Sequence, residues 1–157
     1  PFTNKELIAF KHRFIMAQLA FANFKKVKVK DIEKKIFLAE KSQRSLGTID
    51  TIKYLRNNYP KKIFHLILGQ DGIKDLHRGL WKESKEILDT IPIIGIERPP
   101  IKKLSSELTL YCIPDTSGLS SSKARFSKDI STLKKILPKK VFFYILENNL
   151  YSLQKAS

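Results

Sequence analysis

Apolar positions along the chain switch repeatedly between helical and strand-like spacing, and the switches divide it into short alternating elements. "TNKE", from Thr3 to Glu6, fits a capping box in which a hydroxyl and a carboxylate satisfy early backbone donors. After it, Leu7, Phe10, Phe14, Ala17 and Phe21 recur at helical spacing and predict a helix to about Ala22. "KVKVK", residues 26–30, alternates in the manner of a half-exposed strand. Residues 34–46 carry only a weak helical period, which ends at Gly47. Thr48 then reads as an N-cap, with Ile52 and Leu55 facing inward and Asn57, Asn58 and Pro60 closing the helix.

Three short apolar runs come next. "KIFHLIL" (62–68) precedes Gly69, "IPIIGI" (91–96) is stopped by "ERPP", and "LTLYCI" (108–113) ends at Pro114. Each reads as a buried parallel strand. Helical pieces are expected near 72–78 and 82–89, and another near 129–136. A last helix opens at Pro138, well suited to a first helical position. Strands alternating with helices predict an α/β domain with a mainly parallel sheet covered on both faces. No internal repeat or long linker interrupts it, so residues 1–157 are expected to form a single domain.

In such sheets ligands bind beyond the carboxyl ends of the strands. That rule selects Gly69–Asp71, Arg98–Pro100 and the segment from Ser117 to Arg125, all polar turns directly after apolar strands.

Composition narrows the classes. A 42% hydrophobic and 29% charged chain is ordinary for a globular protein, and no apolar run approaches the length of a membrane span. The single Cys112 excludes an internal disulfide framework and suits a reducing, cytoplasmic location. The net charge of +15 invites a nucleic-acid reading. Only six of the 30 basic residues are Arg, however, and the lysines are spread along the chain. Arg is the residue suited to bidentate phosphate and base contacts, so the balance argues against nucleic acid as a partner. The chain opens at Pro1 and enters a helical pattern almost at once, as expected of a sequence cut from something longer.

The candidate chemistry lies in the three turns. Ser120, Ser121 and Ser122 at a helix start would offer backbone N–H groups and hydroxyls to an anion, with Arg125 one turn further on. The plainer alternative is a serine cap beside a surface arginine. Gly69 would permit close backbone approach, and Asp71 could accept from a ribose hydroxyl or simply cap the next helix. Trp81, the only tryptophan, suits either stacking on a planar ring or half-buried packing. Arg98 is either a phosphate contact or a solvated strand end. The three histidines are isolated, and nothing has zinc-ligand spacing, so no metal site is expected. There is no P-loop and no G-x-G-x-x-G. An enzyme built this way would work by positioning and charge stabilisation.

Taken in order, these segments resemble the bacterial nicotinate-nucleotide adenylyltransferases of the nucleotidyltransferase α/β superfamily. "GLSSSKAR" is similar to their I-S-S-T-x-x-R signature, with Leu119 for Ile and Ser122 for Thr. "DIE" (31–33), "TIDT" (48–51), "GQD" (69–71) and "ERPP" (97–100) fall in the family's order. "KHRFIMAQLA" resembles its first helix after the substrate loop, and "LPKKVFFYILENNLY" (137–151) its closing helix. The resemblance spans nearly the whole chain.

It implies a Rossmann-like, nucleotidyltransferase-type sheet and transfer of the adenylyl group of ATP to nicotinate mononucleotide. The products would be deamido-NAD and pyrophosphate, a step of NAD biosynthesis, with Mg²⁺ sharing the charge. By position it implies that Ser120, Ser121, Ser122 and Arg125 hold the ATP phosphates, with Arg125 the catalytic cation. Gly69 and Arg98 would line the nucleotide site. Thr48, Asp71 and Trp81 would hold nicotinate mononucleotide, with Trp81 on the pyridine ring. The family's amino-terminal strand and its G-x-F-D-P-x-H-x-G-H motif have no counterpart here, and the domain is expected to be incomplete at that end. Trp81 also falls later after Gly69 than the family spacing, and the segment between Glu33 and Thr48 is longer. A related enzyme acting on phosphopantetheine, or a non-catalytic nucleotide-binding module, are the alternative readings.

Overall fold

The computed structural model describes residues 8–39, 45–97, 109–112, 124, 127 and 129–152. They fall into two compact units, one within residues 32–117 and one formed by residues up to 31 together with those from 118 onward.

The first unit carries the sheet. Helices α2 (Ile32–Ala39) and α3 (Thr48–Asn58) pack on each other and precede β1 (Leu66–Gly69). Then come α4 (Gln70–His77), α5 (Ser84–Thr90), β2 (Ile93–Glu97) and β3 (Thr109–Cys112). The described strands run parallel in the order β1-β2-β3. This is an α/β fold with a small parallel sheet flanked by helices. Gly69 is in register with Ile96, and Ile96 with Tyr111, so all three strands leave the sheet at the same edge.

The core of this unit gathers Ile49, Ile52, Leu76, Ile87 and Ile91, with Leu66, Leu68, Trp81 and Ile93 packed against it. Leu66 and Leu68 share one face of β1, as the period of two requires. Ile67 points the other way and is 63% exposed, so β1 is less enclosed than its continuous apolar run predicts. The strand is also shorter at its start, because residues 62–65 have no ladder partner among the described residues and the first bond to the neighbouring segment runs from the Leu66 N–H to the Pro92 carbonyl.

The end of α4 fixes the turn that carries Trp81. The Gly79 N–H donates to the Leu76 carbonyl and the Leu80 N–H to the Asp75 carbonyl, with Gly79 at a φ of +72°. This pair of bonds is a Schellman cap, and its left-handed residue favours glycine. It reverses the chain directly into Trp81.

The second unit contains α1 (Phe10–Phe21), α6 (Ile130–Ile136), α7 (Lys139–Glu147) and a 3₁₀ turn at Leu150–Ser152. Leu133, Val141, Phe142, Ile145 and Leu150 form its buried cluster, against which Ile8, Met16, Leu19 and Ala20 pack. The inward face of α1 therefore runs through Met16, Leu19 and Ala20, while Phe10 and Phe14 stack on each other with centroids 5.7 Å apart. Asp129 caps α6 by accepting from the Ser131 N–H at 2.9 Å.

Several expectations need correction. Helix α1 begins at Phe10, because Ala9 has an extended ψ of 142°; the Thr3–Glu6 box lies outside the described residues. "KVKVK" forms no strand: residues 27–30 have no ladder partner among the described residues, and the segment is largely exposed. Alternation alone cannot hold a strand without a neighbouring edge. Residues 34–39 of the ambiguous stretch are helical, and Pro138 is the cap of α7 with Lys139 as its first residue. No helix among the described residues is long and apolar enough to cross a membrane.

Candidate active site

The amino end of α3 is built from a glycine and an acid. Gly47, rather than Thr48, is the N-cap, and Thr48 is the first helical residue. From the third helical position the Asp50 carboxylate reaches back to accept the Gly47 N–H at 2.7 Å. That half of a capping box satisfies one orphan donor and places negative charge at the positive end of the helix. With the cap supplied from Asp50, the Thr48 hydroxyl makes no hydrogen bond among the described residues.

Asp50 is buried, its side chain only 7% exposed, and its second partner comes from far along the chain. Lys82 Nζ donates to Asp50 Oδ2 at 3.0 Å and lies 3.3 Å from Oδ1. The lysine stem runs across Gly47, where an added Cβ would come within 3.2 Å of Lys82 Cβ. Glycine at 47 leaves room for that crossing.

Trp81 precedes Lys82 and is fixed at its backbone by Ser84. Its N–H donates to Ser84 Oγ at 3.1 Å, and that hydroxyl donates to the Trp81 carbonyl at 2.7 Å. The indole is half-buried, and a Cβ on Gly72 would meet both Trp81 Cζ2 and Leu68 Cδ2 at 3.6 Å. The ring therefore rests on the start of α4, immediately beyond β1.

Gly69 ends β1 as the N-cap of α4, in extended conformation with φ −75°. No atom of the described residues lies within 4 Å of where its Cβ would be, leaving the backbone open toward them. Asp71 lies inside the first turn of α4 rather than at its cap, exposed and without a hydrogen bond among the described residues. Its charge suits the positive end of the helix.

Two further polar atoms, Thr51 Oγ1 and Gln70 Nε2, are buried without a hydrogen-bond partner among the described residues. They belong to the "TIDT" and "GQD" segments respectively. Buried polar atoms ordinarily find partners.

The arrangement gathers the start of α3, the start of α4 and the Trp81 turn beside the carboxyl end of β1. The cytidylyltransferase-like family model matches residues 1–127. A probable nicotinate-nucleotide adenylyltransferase of Flavobacterium johnsoniae is 32% identical, over 92% of this chain and 74% of that protein. The chain belongs to the nicotinate-nucleotide adenylyltransferase family.

A family member of the same description from Carboxydothermus hydrogenoformans is 28% identical, over 96% of this chain and 78% of its own. One from Bacillus anthracis is 34% identical over 66% of this chain, and the match spans 54% of that protein. Among solved structures, the nicotinic acid mononucleotide adenylyltransferase of Plasmodium falciparum complexed with NaAD superposes with a TM-score of 0.75. It is 26% identical, over 98% of this chain and 79% of that one. The same Plasmodium enzyme complexed with APC gives a TM-score of 0.74 at 27% identity, over 96% and 79%.

Of the residues expected at the site of this adenylyltransferase-family chain, the first unit holds Thr48 at the first position of α3, Gly69 at the end of β1, Asp71 in the first turn of α4, and Trp81 with its ring against Gly72. Arg98, Ser120, Ser121, Ser122 and Arg125 lie outside the described residues. Sequence reasoning missed Asp50, Lys82 and Gly72. A Gly-x-x-Asp spacing at a helix start signals Asp50 as a cap, but no local pattern links it to Lys82, 32 residues away.

Proposed function

We propose that the chain transfers the adenylyl group of ATP to nicotinate mononucleotide, forming deamido-NAD and pyrophosphate. What supports this reading, in a chain of this family, is that Trp81 rests on the first turn of α4, which holds Asp71, while the adjacent Lys82 reaches the start of α3, where Thr48 lies. A phosphate oxygen of the mononucleotide attacks the α-phosphorus of ATP. The bond from that phosphorus to the bridging oxygen of the β-phosphate breaks, and pyrophosphate leaves. No side chain is covalently modified, so the protein contributes alignment and charge stabilisation.

In this reading the half-buried indole of Trp81 covers the pyridine ring, and the uncommitted Thr48 hydroxyl donates to the nicotinate carboxylate. Asp71 accepts from a ribose hydroxyl, and the open backbone at Gly69 admits the nucleotide. Ser120, Ser121, Ser122, Arg125 and Arg98 take the phosphates, with Arg125 opposing the charge that develops on the leaving pyrophosphate. ATP enters as its Mg²⁺ chelate. Such an ion is held mainly through the phosphates and keeps several of its waters. The three described strands then belong to a larger Rossmann-like sheet with helices on both faces, within one nucleotidyltransferase domain that works in the cytoplasm.

The test is pyrophosphate release from ATP and Mg²⁺ by protein made from its complete reading frame, with nicotinate mononucleotide, nicotinamide mononucleotide or phosphopantetheine as acceptor. Turnover favouring nicotinate mononucleotide is expected. Preference for phosphopantetheine, or no turnover with any acceptor, would overturn the reading.

A further inference from the structure

We propose that the Asp50–Lys82 ion pair is a latch that holds the Trp81 turn against the start of α3 and thereby sets affinity for the mononucleotide. Both are positioning residues, and the effect on affinity rests on the function proposed above. Three observations converge on the pair. Asp50 is the most enclosed acid described, at 7% side-chain exposure, and a carboxylate so enclosed requires a paired cation. Its Oδ2 accepts from both Gly47 N–H, at 2.7 Å, and Lys82 Nζ, at 3.0 Å, so one oxygen joins the cap of α3 to the Trp81 turn. The lysine stem fills the space above Gly47, so the link is steric as well as ionic.

Trp81 has other supports as well, including the core cluster of Ile49 and Ile52 in α3 with Leu76, Ile87 and Ile91, against which it packs. Ser84 binds its backbone within the turn itself, and the ring rests on Gly72 and Leu68. A second ion pair does span the two elements: Lys53 Nζ contacts Glu83 at 2.7 Å and Glu86 at 2.9 Å. All three side chains are between 39% and 48% exposed, where water and salt weaken such pairs. The two bridges thus join the same elements, one enclosed and beside Thr48, the other solvated, and the second is a built-in control.

Trp81 is the only tryptophan, so its fluorescence reports this turn alone. The experiment compares wild type with Lys82→Met, Lys82→Arg, Asp50→Asn and Lys53→Met. It records acrylamide quenching of Trp81 together with kcat and KM for each substrate. Lys82→Met is expected to raise quenching and to raise KM for nicotinate mononucleotide about fivefold, with kcat and the KM for ATP within about twofold. Lys82→Arg should restore both readouts, and Lys53→Met should match wild type. If Asp50→Asn does not fold, the exposed Lys82 variants decide the matter. Unchanged quenching and KM in Lys82→Met, or equal effects in Lys53→Met, would overturn the latch. If wild type turns over no mononucleotide, the proposed function fails, while the quenching comparison still decides whether the latch holds the turn.

Discussion

His12 Nδ1 lies 2.9 Å from the hydroxyl of Tyr144, joining α1 to α7 across 132 positions of sequence. The two rings are tilted at 51° with centroids 5.9 Å apart. Because α1 has no fully buried residue, its attachment depends on partial contacts of this kind. Tyr144→Phe should lower unfolding free energy by about 1 kcal/mol, the typical net value of one such bond. Urea titration followed by circular dichroism measures it. A stability equal to wild type would mean the contact is idle.

Gly79→Ala tests the cap that turns the chain into Trp81. No atom of the described residues lies within 4 Å of the new Cβ, so the cost is conformational and comes from a φ of +72°. A loss of about 1–2 kcal/mol is expected, with Asn recovering part of it. Alanine should also shift the Trp81 emission maximum, which a purely global loss of stability would leave unchanged in the folded state.

Two of the described carboxylates contribute acid sensitivity. Hydrogen bonds from Thr132 and then Ser131 hold the Asp129 carboxyl below its ordinary 3.8. A hydrogen bond from Lys53 does the same for Glu83, below 4.5. A lowered folded pKa gives stability that is present above the unfolded value and is lost as pH falls through the folded one. Melting temperature should therefore fall as pH drops below about 4. Asp129→Ala should lower it at neutral pH and flatten that acid limb. Lys53 has the opposite sign: its pKa is raised above 10.5 by Glu83 and Glu86, so its contribution disappears only as pH rises through the raised value.

Under the proposed reaction Arg125 opposes charge that grows on the leaving group. Arg125→Ala should reduce kcat by about two to three decades, corresponding to about 3–4 kcal/mol of barrier. Steady-state pyrophosphate release measures this directly. An active alanine variant would remove Arg125 from the reaction.

The sheet is legible in the sequence because each strand is a short apolar run ended by a polar or proline-bearing turn. "IPIIGI" and "LTLYCI" differ from β2 and β3 only at their ends. "KVKVK" misleads for the same reason that β1 is short: pairing depends on a neighbour's edge, which alternation does not encode. At the site, Thr48, Asp71 and Trp81 stand out by residue type and position. Asp50 and Lys82 do not, because a part-buried ion pair between residues 32 apart is a product of the α4 cap and the turn after it. Thr48 resembles the cap for a related reason, since a hydroxyl at a helix start normally outranks glycine unless an acid at the third position supplies the oxygen.

The shared exit edge of β1, β2 and β3 has a consequence for how such a protein can change. Because the register ties Gly69, Ile96 and Tyr111 together through backbone bonds, the connections beyond them can lengthen, shorten or exchange residues without disturbing the ladder. A new acceptor could then be accommodated by editing the segments that follow the strands, one at a time, on an unaltered frame.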